Sequence, residues 1–327
     1  MTTLTTPAQP GQDKSVRPVP WRRLGWVSWR QYRFSVVGAA VFLVVLAAYL
    51  LIMGLRVRSG YASVASCPQL GSRLSHSCGI ALMLFGGYHV YGESTAAVLM
   101  AVPVLIGAFA GAPILSRELE VGTFRFAWTQ GAGRTRWALA RLALPAVMVT
   151  AAAAAFSQLF GWFYYPFFAT GDSALAPQYF ELTGIAFAAW TLAAFAIGTL
   201  AGVLIRKVVP AIAAAMAAWA GLLLVTSLYL RRLYQAPLSV RNGGHGAPGV
   251  SPWLISQWWT GPNGKTITSE NKIIALINHP QPGYTQWTTY EPGTRYWHFQ
   301  FIEGGWLLVL SLLLIAAAIW LIRRRAA

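Results

Sequence analysis

Apolar residues run through this chain in six long stretches, and most polar residues lie between them. The stretches cover residues 34–55, 94–115, 142–163, 182–205, 208–230 and 304–322, and none of them contains Asp, Glu, Lys, Arg or His. A helix needs about 20 apolar residues to cross the hydrocarbon core of a bilayer. The pattern therefore predicts an all-α membrane protein with six transmembrane helices.

Composition supports an integral membrane protein. Of the 327 residues, 56% are hydrophobic and only 10% are charged, against a charged share of about 25% in ordinary soluble domains. Residues 1–20 are polar and proline-rich, which predicts a disordered tail without a cleavable signal peptide. The remaining chain divides into a membrane domain at 21–322 and a short tail at 323–327.

The distribution of charge predicts the orientation of the spans. Most of the 25 basic residues lie before the first stretch, between the second and third, between the fourth and fifth, and after the sixth. The positive-inside rule places these segments and both termini in the cytoplasm. The net charge of +16 is then explained by anionic membrane lipids, not by nucleic acid. We expect a multi-pass protein of a bacterial plasma membrane.

The segment just before the first span, residues 21–33, has a two-faced pattern. At helical spacing, its arginines fall on one face and its apolar residues on another; the arginines are Arg22, Arg23, Arg30 and Arg33. Such a pattern favours a helix lying in the cytoplasmic headgroup layer. The alternative is a set of juxtamembrane basic residues around an irregular strand.

Two segments are predicted to face outward, at 56–93 and 231–303. The first holds the only two cysteines, Cys67 and Cys78, and an oxidising compartment favours a disulfide between them. A metal site with the nearby histidines matches no zinc spacing, so no metal is expected. The second is rich in Trp, Gly and Pro and is predicted to be loop-rich, with one short helix at 269–279 in which Ser269 is the N-cap.

No catalytic motif stands out in the chain. The outward carboxylates that an enzyme might use as a base are scattered over four segments, which suggests no acid–base pair; they are Glu93, Asp172, Glu181 and Glu303. Within the spans, the small-residue patterns Gly107-x-x-x-Gly111 and Gly198-x-x-x-Gly202 allow close helix approach. The apolar stretches carry no charged group that would serve proton or ion coupling.

The most distinctive cytoplasmic segment is 116–141, with the sequence SRELEVGTFRFAWTQGAGRTRWALAR. Its first residues continue the second span as a charged helical extension, and Gly122 with Thr123 is expected to end that helix. The segment is thus predicted to be a stiff lever that joins two spans. The alternative is a plain connecting loop, but anchoring at the inner surface would need basic residues alone, whereas Glu118 and Glu120 are acidic.

The motif SREL-E-x-GT-F, followed by W-T-Q-x-x-x-R-x-R-W, resembles the cytoplasmic loop of type-2 ATP-binding-cassette (ABC) exporter permeases of the drug and polysaccharide export group. The resemblance implies a transport subunit without its own ATPase site or cofactor, since ATP and Mg²⁺ would bind to a separate ATP-binding-cassette subunit. It also implies pairing with a second permease copy or homologue. Carried over by position, the residues that would contact the ATPase or shape the lever are Arg117, Glu118, Glu120, Gly122, Thr123, Thr129, Gln130, Arg134 and Arg136.

The sequence therefore predicts the permease subunit of an ATP-driven transporter that exports a lipophilic or amphipathic compound. A second hypothesis is a non-transporting membrane subunit of a sensor or resistance complex that recognises a peptide or lipid at its outer face. A membrane enzyme is a third class, which would require an outward carboxylate as base.

Overall fold

The fold was analysed in a computed structural model, which describes residues 21–67, 76–122, 134–241, 252–279 and 281–325. Most of these residues are helical. The helices and helical turns are α1 (Trp21–Ala65), α2 (His76–Gly86), α3 (His89–Ile106), a π-helical turn (Gly107–Gly111), α4 (Ala112–Val121), α5 (Arg134–Thr170), α6 (Pro177–Phe180), α7 (Ala186–Ile205), α8 (Val208–Val225), a second π-helical turn (Thr226–Leu230), α9 (Arg231–Leu233), α10 (Glu270–Asn278), a 3₁₀ turn (Gly293–Arg295) and α11 (Tyr296–Arg325).

Within the described residues, six helical stretches are long and apolar enough to cross a membrane. They are Val41–Ala65, His76–Val121, Thr135–Thr170, Ala186–Ile205, Val208–Leu233 and Gly293–Arg324. The predicted helical fold class with six spans is confirmed, and the chain is a multi-pass membrane protein. Several helices extend well beyond the apolar stretches, because charged residues at a helix end can lie in the headgroup region without breaking the helix.

The segment 56–93 is more helical than the prediction of an outward loop implies. Helix α1 continues to Ala65, and α2 and the first turn of α3 occupy most of the rest. The predicted disulfide is present: Cys67 and Cys78 are bonded, which joins the end of α1 to the first turn of α2. The described residues contain no group of three or more His, Cys, Asp or Glu side chains placed to hold a metal ion.

The segment 231–303 contains a small sheet that the sequence analysis missed. Four strands pair in the order β1-β4-β2-β3, all antiparallel; they are β1 (Leu238–Arg241), β2 (Trp253–Thr260), β3 (Thr266–Ile267) and β4 (Thr285–Glu291). Helix α10 lies where the short helix was predicted, with Ser269 at its N-cap position. The segment was predicted to be loop-rich, and the strands were missed because they are short and separated by turns.

Helix α7 forms the centre of the bundle. It contacts α3, α4, α5, α8 and α11. In its most apolar 18-residue stretch, 72% is buried inside the protein, against 17% in the corresponding stretches of the spans formed by α1, α5 and α8. Its small residues, mostly Ala and Gly, let the neighbouring backbones come close. The outer helices expose long apolar side chains, as lipid-facing helices do.

The two glycine patterns pack against each other. Gly107 and Gly111 face α7 so closely that a Cβ atom would stand 2.5 Å from the Ala194 carbonyl oxygen and 2.6 Å from that of Phe195, respectively. A Cβ on Gly198 would likewise collide with the carbonyl oxygen of Gly107. The predicted close approach therefore joins the second and fourth spans, through the π-helical turn between α3 and α4.

Candidate functional site

The bundle has two ends that differ in chemistry. The loop end is where α4 ends, α5 begins and α7 turns into α8; the sheet end carries the β-sheet, α9 and the disulfide. The predicted coupling lever belongs to the loop end. An ionic cluster that the sequence analysis did not foresee lies at the sheet end.

At the loop end, α4 stops where the sequence predicted. Gly122 adopts a left-handed conformation with φ of +77°, and its N–H donates to the Glu118 carbonyl oxygen at 3.0 Å. This is the usual glycine C-cap of a helix. On the last turns of α4, the side chains of Arg117, Glu120 and Val121 are exposed, and these positions are neighbours on one face of a helix.

Glu118 faces the opposite way, into the protein. Its carboxylate forms an ion pair with Arg141 of α5, and the two side chains are only 11% and 12% exposed. Because Arg141 lies two turns into α5, this pair ties the tip of α4 to the start of the next span. Glu118 is therefore a structural link within the chain.

Glu120 makes a second link, to the fifth span. Its Oε2 accepts a hydrogen bond of 3.0 Å from the backbone N–H of Val208, the first residue of α8. The N-terminal N–H groups of a helix lack partners inside the helix and carry partial positive charge, so a carboxylate there is stabilising. The tip of α4 is thus bonded to both α5 and α8.

The other predicted coupling residues are placed only in part. Thr123, Thr129 and Gln130 lie outside the described residues. Arg134 opens α5, and Arg136, two residues further along, is half-buried. The basic segment 21–33 is helical, as favoured, but it runs without a break into the first span as part of α1. Its position at a membrane surface, for Arg22, Arg23, Arg30 and Arg33, stays a prediction.

At the sheet end, Arg231 is completely buried and held by two carboxylates. Its Nη2 and Nε donate to the two carboxylate oxygens of Glu303, at 2.8 Å and 3.0 Å, which makes a two-pronged pair. Nη2 also donates to Oε1 of Glu181 at 3.0 Å. Such paired geometry is strong because it satisfies charge and direction together. Arg231 opens α9, Glu303 lies in α11 and Glu181 precedes α7, so the cluster joins three parts of the chain.

Neutral side chains complete the cluster. Trp190 donates its indole N–H to Glu303 at 2.8 Å, and Ser227, in the π-helical turn before Arg231, donates its hydroxyl to Glu181 Oε1 at 2.6 Å. Burial raises the pKa of Glu181, and the Arg231 guanidinium opposes that shift. We refer to Arg231, Glu303, Glu181, Trp190 and Ser227 as the ionic cluster.

Gln300 lies one turn before Glu303 and fixes the start of the central helix. Its side-chain Oε1 accepts hydrogen bonds of 2.8 Å from the backbone N–H groups of Ile185 and Ala186, and its Nε2 donates to the carbonyl oxygens of Phe180 and Thr183. A buried helix N-terminus needs such partners. Helices α7 and α11 are therefore locked together at the sheet end.

The ionic cluster corrects one sequence inference. The carboxylates were taken as scattered, yet Glu181 and Glu303 meet at the same guanidinium. Arg231 itself fell in a segment predicted to face outward, whereas the helical stretch Val208–Leu233 includes it. One signal was available: an arginine directly after an apolar run needs a carboxylate partner when it is buried.

A small cavity lies beside the cluster. Glu181 contributes the carboxylate in its lining, and the other lining side chains are Met100, Pro103, Leu182, Phe187, Trp190 and Trp219. Its volume of about 10 Å³ is room for about one water molecule. The cavity thus combines apolar and aromatic walls with a single charged group.

The fold and the loop end together define the class: a six-span membrane subunit with a charged helical tip at one end. The chain belongs to the ABC-2 membrane transporter related family, whose family model matches residues 40–231. That match covers the first four spans, all but the last two residues of the fifth, the loop end and Arg231. No curated protein was found to match the chain, and no solved structure was found to match it either. Membership supports a transport subunit that works with an ATP-binding-cassette partner.

Proposed function

We propose that this protein is the permease subunit of an ATP-driven exporter, and that a separate ATP-binding subunit docks at the loop end. The observation that carries the proposal is the double link at the tip of α4. Glu118 bonds it to α5 and Glu120 bonds it to α8, so a push on this tip acts on three helices at once.

The surface of the tip suits a soluble partner. Arg117, Glu120 and Val121 present a basic, an acidic and an apolar side chain side by side, and all three are exposed. Mixed charge with an apolar contact is typical of a protein interface, whereas attachment to lipid headgroups would need only basic residues. The position agrees with the partner implied by the family.

Motion at this tip has a defined route through the bundle. Helix α4 packs on α7 through the glycine contact, and α8 packs on both. Closely packed helices switch between discrete arrangements instead of bending smoothly. Closure of the ATP-binding subunits would thus be transmitted to the spans as a rigid shift.

A second permease copy fits the exposed faces of the bundle. In the spans formed by α1 and α8, only 17% of the most apolar 18-residue stretch is buried inside the protein. These apolar faces must contact lipid or another protein, and a pathway between two copies would use them. The apolar surfaces suit a lipophilic or amphipathic cargo, because the described spans offer few charged groups to pair with an ionic one.

The test is co-purification with the ATP-binding subunit, produced together with this chain. Arg117→Glu reverses one exposed charge at the tip without touching the Glu118–Arg141 pair. We expect this variant to fold normally and to lose most of the bound ATPase. The matched control is Arg324→Glu, which makes the same charge change in the last turn of α11 and should keep the partner.

Two results would count against the proposal. If Arg117→Glu retains the ATPase at the wild-type level, the tip of α4 is not part of the interface. If the wild-type chain retains no ATP-binding subunit in mild detergent, the proposed exporter has no energy source. The hypothesis of a sensor subunit would then take precedence.

A further inference from the structure

The cavity beside the ionic cluster contains an unmatched negative group. Glu181 is only 4% exposed, and both hydrogen bonds that it receives from described residues, from Ser227 and from Arg231, end on Oε1. Its other oxygen, Oε2, receives none. The Glu181 side chain lines the cavity, and a carboxylate oxygen without a donor in a mostly buried side chain is costly, which indicates that a ligand or a proton completes it.

The charge balance of the cluster favours a cation. Two carboxylates, Glu181 and Glu303, share one guanidinium among the described residues. Glu303 binds Nε and Nη2 of Arg231 with both oxygens, and Nη1 of Arg231 is a buried donor without a partner in the described part of the chain. The two carboxylates still exceed the one guanidinium by a single negative charge, and of the two only Glu181 lines the cavity. A cation at Oε2 would restore neutrality where desolvation makes an unpaired charge expensive.

The cavity walls also suit a cation. Trp190 and Trp219 stand edge to face with their ring centroids 6.0 Å apart, and Phe187 lines the same cavity. Aromatic rings attract a cation through their negative faces, most strongly where water is excluded. The indole N–H of Trp219 is buried without a hydrogen-bond partner, which leaves a donor for an oxygen atom carried by the same ligand.

We propose that this cavity is a recognition site for the protonated amine of an amphipathic molecule, with Glu181 Oε2 as its counter-ion. This proposal deepens the proposed export function. If the amine is the cargo, the proposal rests on that function. In the present state the cavity is the size of an ammonium group, not of a whole molecule. The apolar remainder is accommodated only when α3, which carries Met100 and Pro103, moves away from α8.

The test is direct binding to the full chain in nanodiscs of phosphatidylcholine, with empty nanodiscs subtracted. The probes are naphthylethylamine and naphthylethanol, which match in shape but differ in charge. We expect the wild type to bind the amine about tenfold more tightly than the alcohol, because ionic hydrogen bonds exceed neutral ones. Glu181→Gln should reduce this preference to about twofold or less, while the Arg231–Glu303 pair keeps the cluster neutral.

The matched control is Glu93→Gln, which removes an exposed carboxylate from α3 and should keep the full preference. A second variant, Trp219→Leu, leaves every bond of the cluster in place and should lower the preference about threefold through the lost aromatic face. It decides the matter if Glu181→Gln does not fold.

The proposal is overturned if the wild type binds amine and alcohol equally, or if the preference survives in Glu181→Gln or is unchanged in Trp219→Leu. These outcomes are independent of the ATP-binding subunit. Binding of the amine by a chain that retains no ATPase would uphold the site and refute the exporter. An ATPase complex without amine preference would refute the site alone.

Discussion

The two ends of the bundle use charge in opposite ways. At the loop end, Arg117 and Glu120 are exposed on the tip of α4, and the Glu120 bond to α8 lies at the surface, while the Glu118–Arg141 pair below it is mostly buried. At the sheet end, Arg231 and Glu303 are fully buried and bonded to each other. The first arrangement leaves charge available to a partner, while the second uses charge to fix helices inside the protein.

The difference explains how one chain can be both mobile and specific. Exposed charges contribute little to stability because water screens them, so Arg117 and Glu120 on the tip can exchange their surroundings for contacts with a partner. The fully buried Arg231–Glu303 pair tolerates no loss of either partner, since the remaining charge would be unpaired. We therefore expect substitutions of Arg231 or Glu303 to act mainly on folding and substitutions of the exposed Arg117 to act on coupling.

The largest effect is expected from Arg231→Met. The change leaves Glu303 and Glu181 facing each other in a buried site, and loss of one partner of a buried pair costs about 3–5 kcal/mol. The variant should be recovered in low yield and melt well below the wild type. Intrinsic tryptophan fluorescence during heating in detergent measures this.

The neighbouring residue provides the control. Arg232 is exposed, so Arg232→Met removes the same charge one position along the chain and should melt like the wild type. Equal melting temperatures for both variants would mean that burial at Arg231 contributes nothing, and the contrast between the two ends would be lost.

The disulfide at the sheet end ranks next. Cys67 and Cys78 close a loop with a sequence separation of 11, and the chain-entropy argument gives a stabilisation of roughly 2–3 kcal/mol for a loop of this length. The double variant Cys67→Ala/Cys78→Ala should lower the melting temperature, and reduction of the wild type should lower it equally. A shift on reduction that persists in the double variant would point to an effect of the reductant alone.

The local features of this structure were predictable from the sequence. The six apolar runs each gave a span, and the end of α4 at Gly122 and the pairing of Cys67 with Cys78 were also predicted correctly. Each of these depends on residues close in the chain or on the single pair of cysteines. Local patterns therefore determined what lies along each helix.

The contacts between distant segments were not predictable. Arg231 is separated from Glu303 by 72 positions and from Glu181 by 50, and a single sequence does not show which charged groups meet. Glu118 was likewise predicted to contact a partner or to shape the lever, and the sequence did not show that its carboxylate would pair with Arg141. The sheet was missed although one of its strands, Thr285–Glu291 (TQWTTYE), has the aromatic and β-branched composition of a strand.

A third prediction concerns the pair that Glu118 forms with Arg141. Glu118→Gln removes the charge from a pair that is about nine-tenths buried and should cost about 1–3 kcal/mol. If the pair acts within the chain, the double variant Glu118→Gln/Arg141→Met should lose less stability than the sum of the two single variants. Strict additivity of the three melting shifts would show that the pair is not coupled.

The smallest effect is expected at Glu120. Glu120→Ala removes the acceptor for the Val208 N–H and should cost about 0.5–1 kcal/mol, as loss of a helix cap does, whereas Glu120→Gln keeps an oxygen at that place. Hydrogen exchange in the first turn of α8 should rise in the Ala variant and stay near wild type in the Gln variant. Unchanged hydrogen exchange in Glu120→Ala would show that the Glu120 bond does not hold α4 to α8. The loop end would then lose the connection through which a partner's push reaches the fifth span.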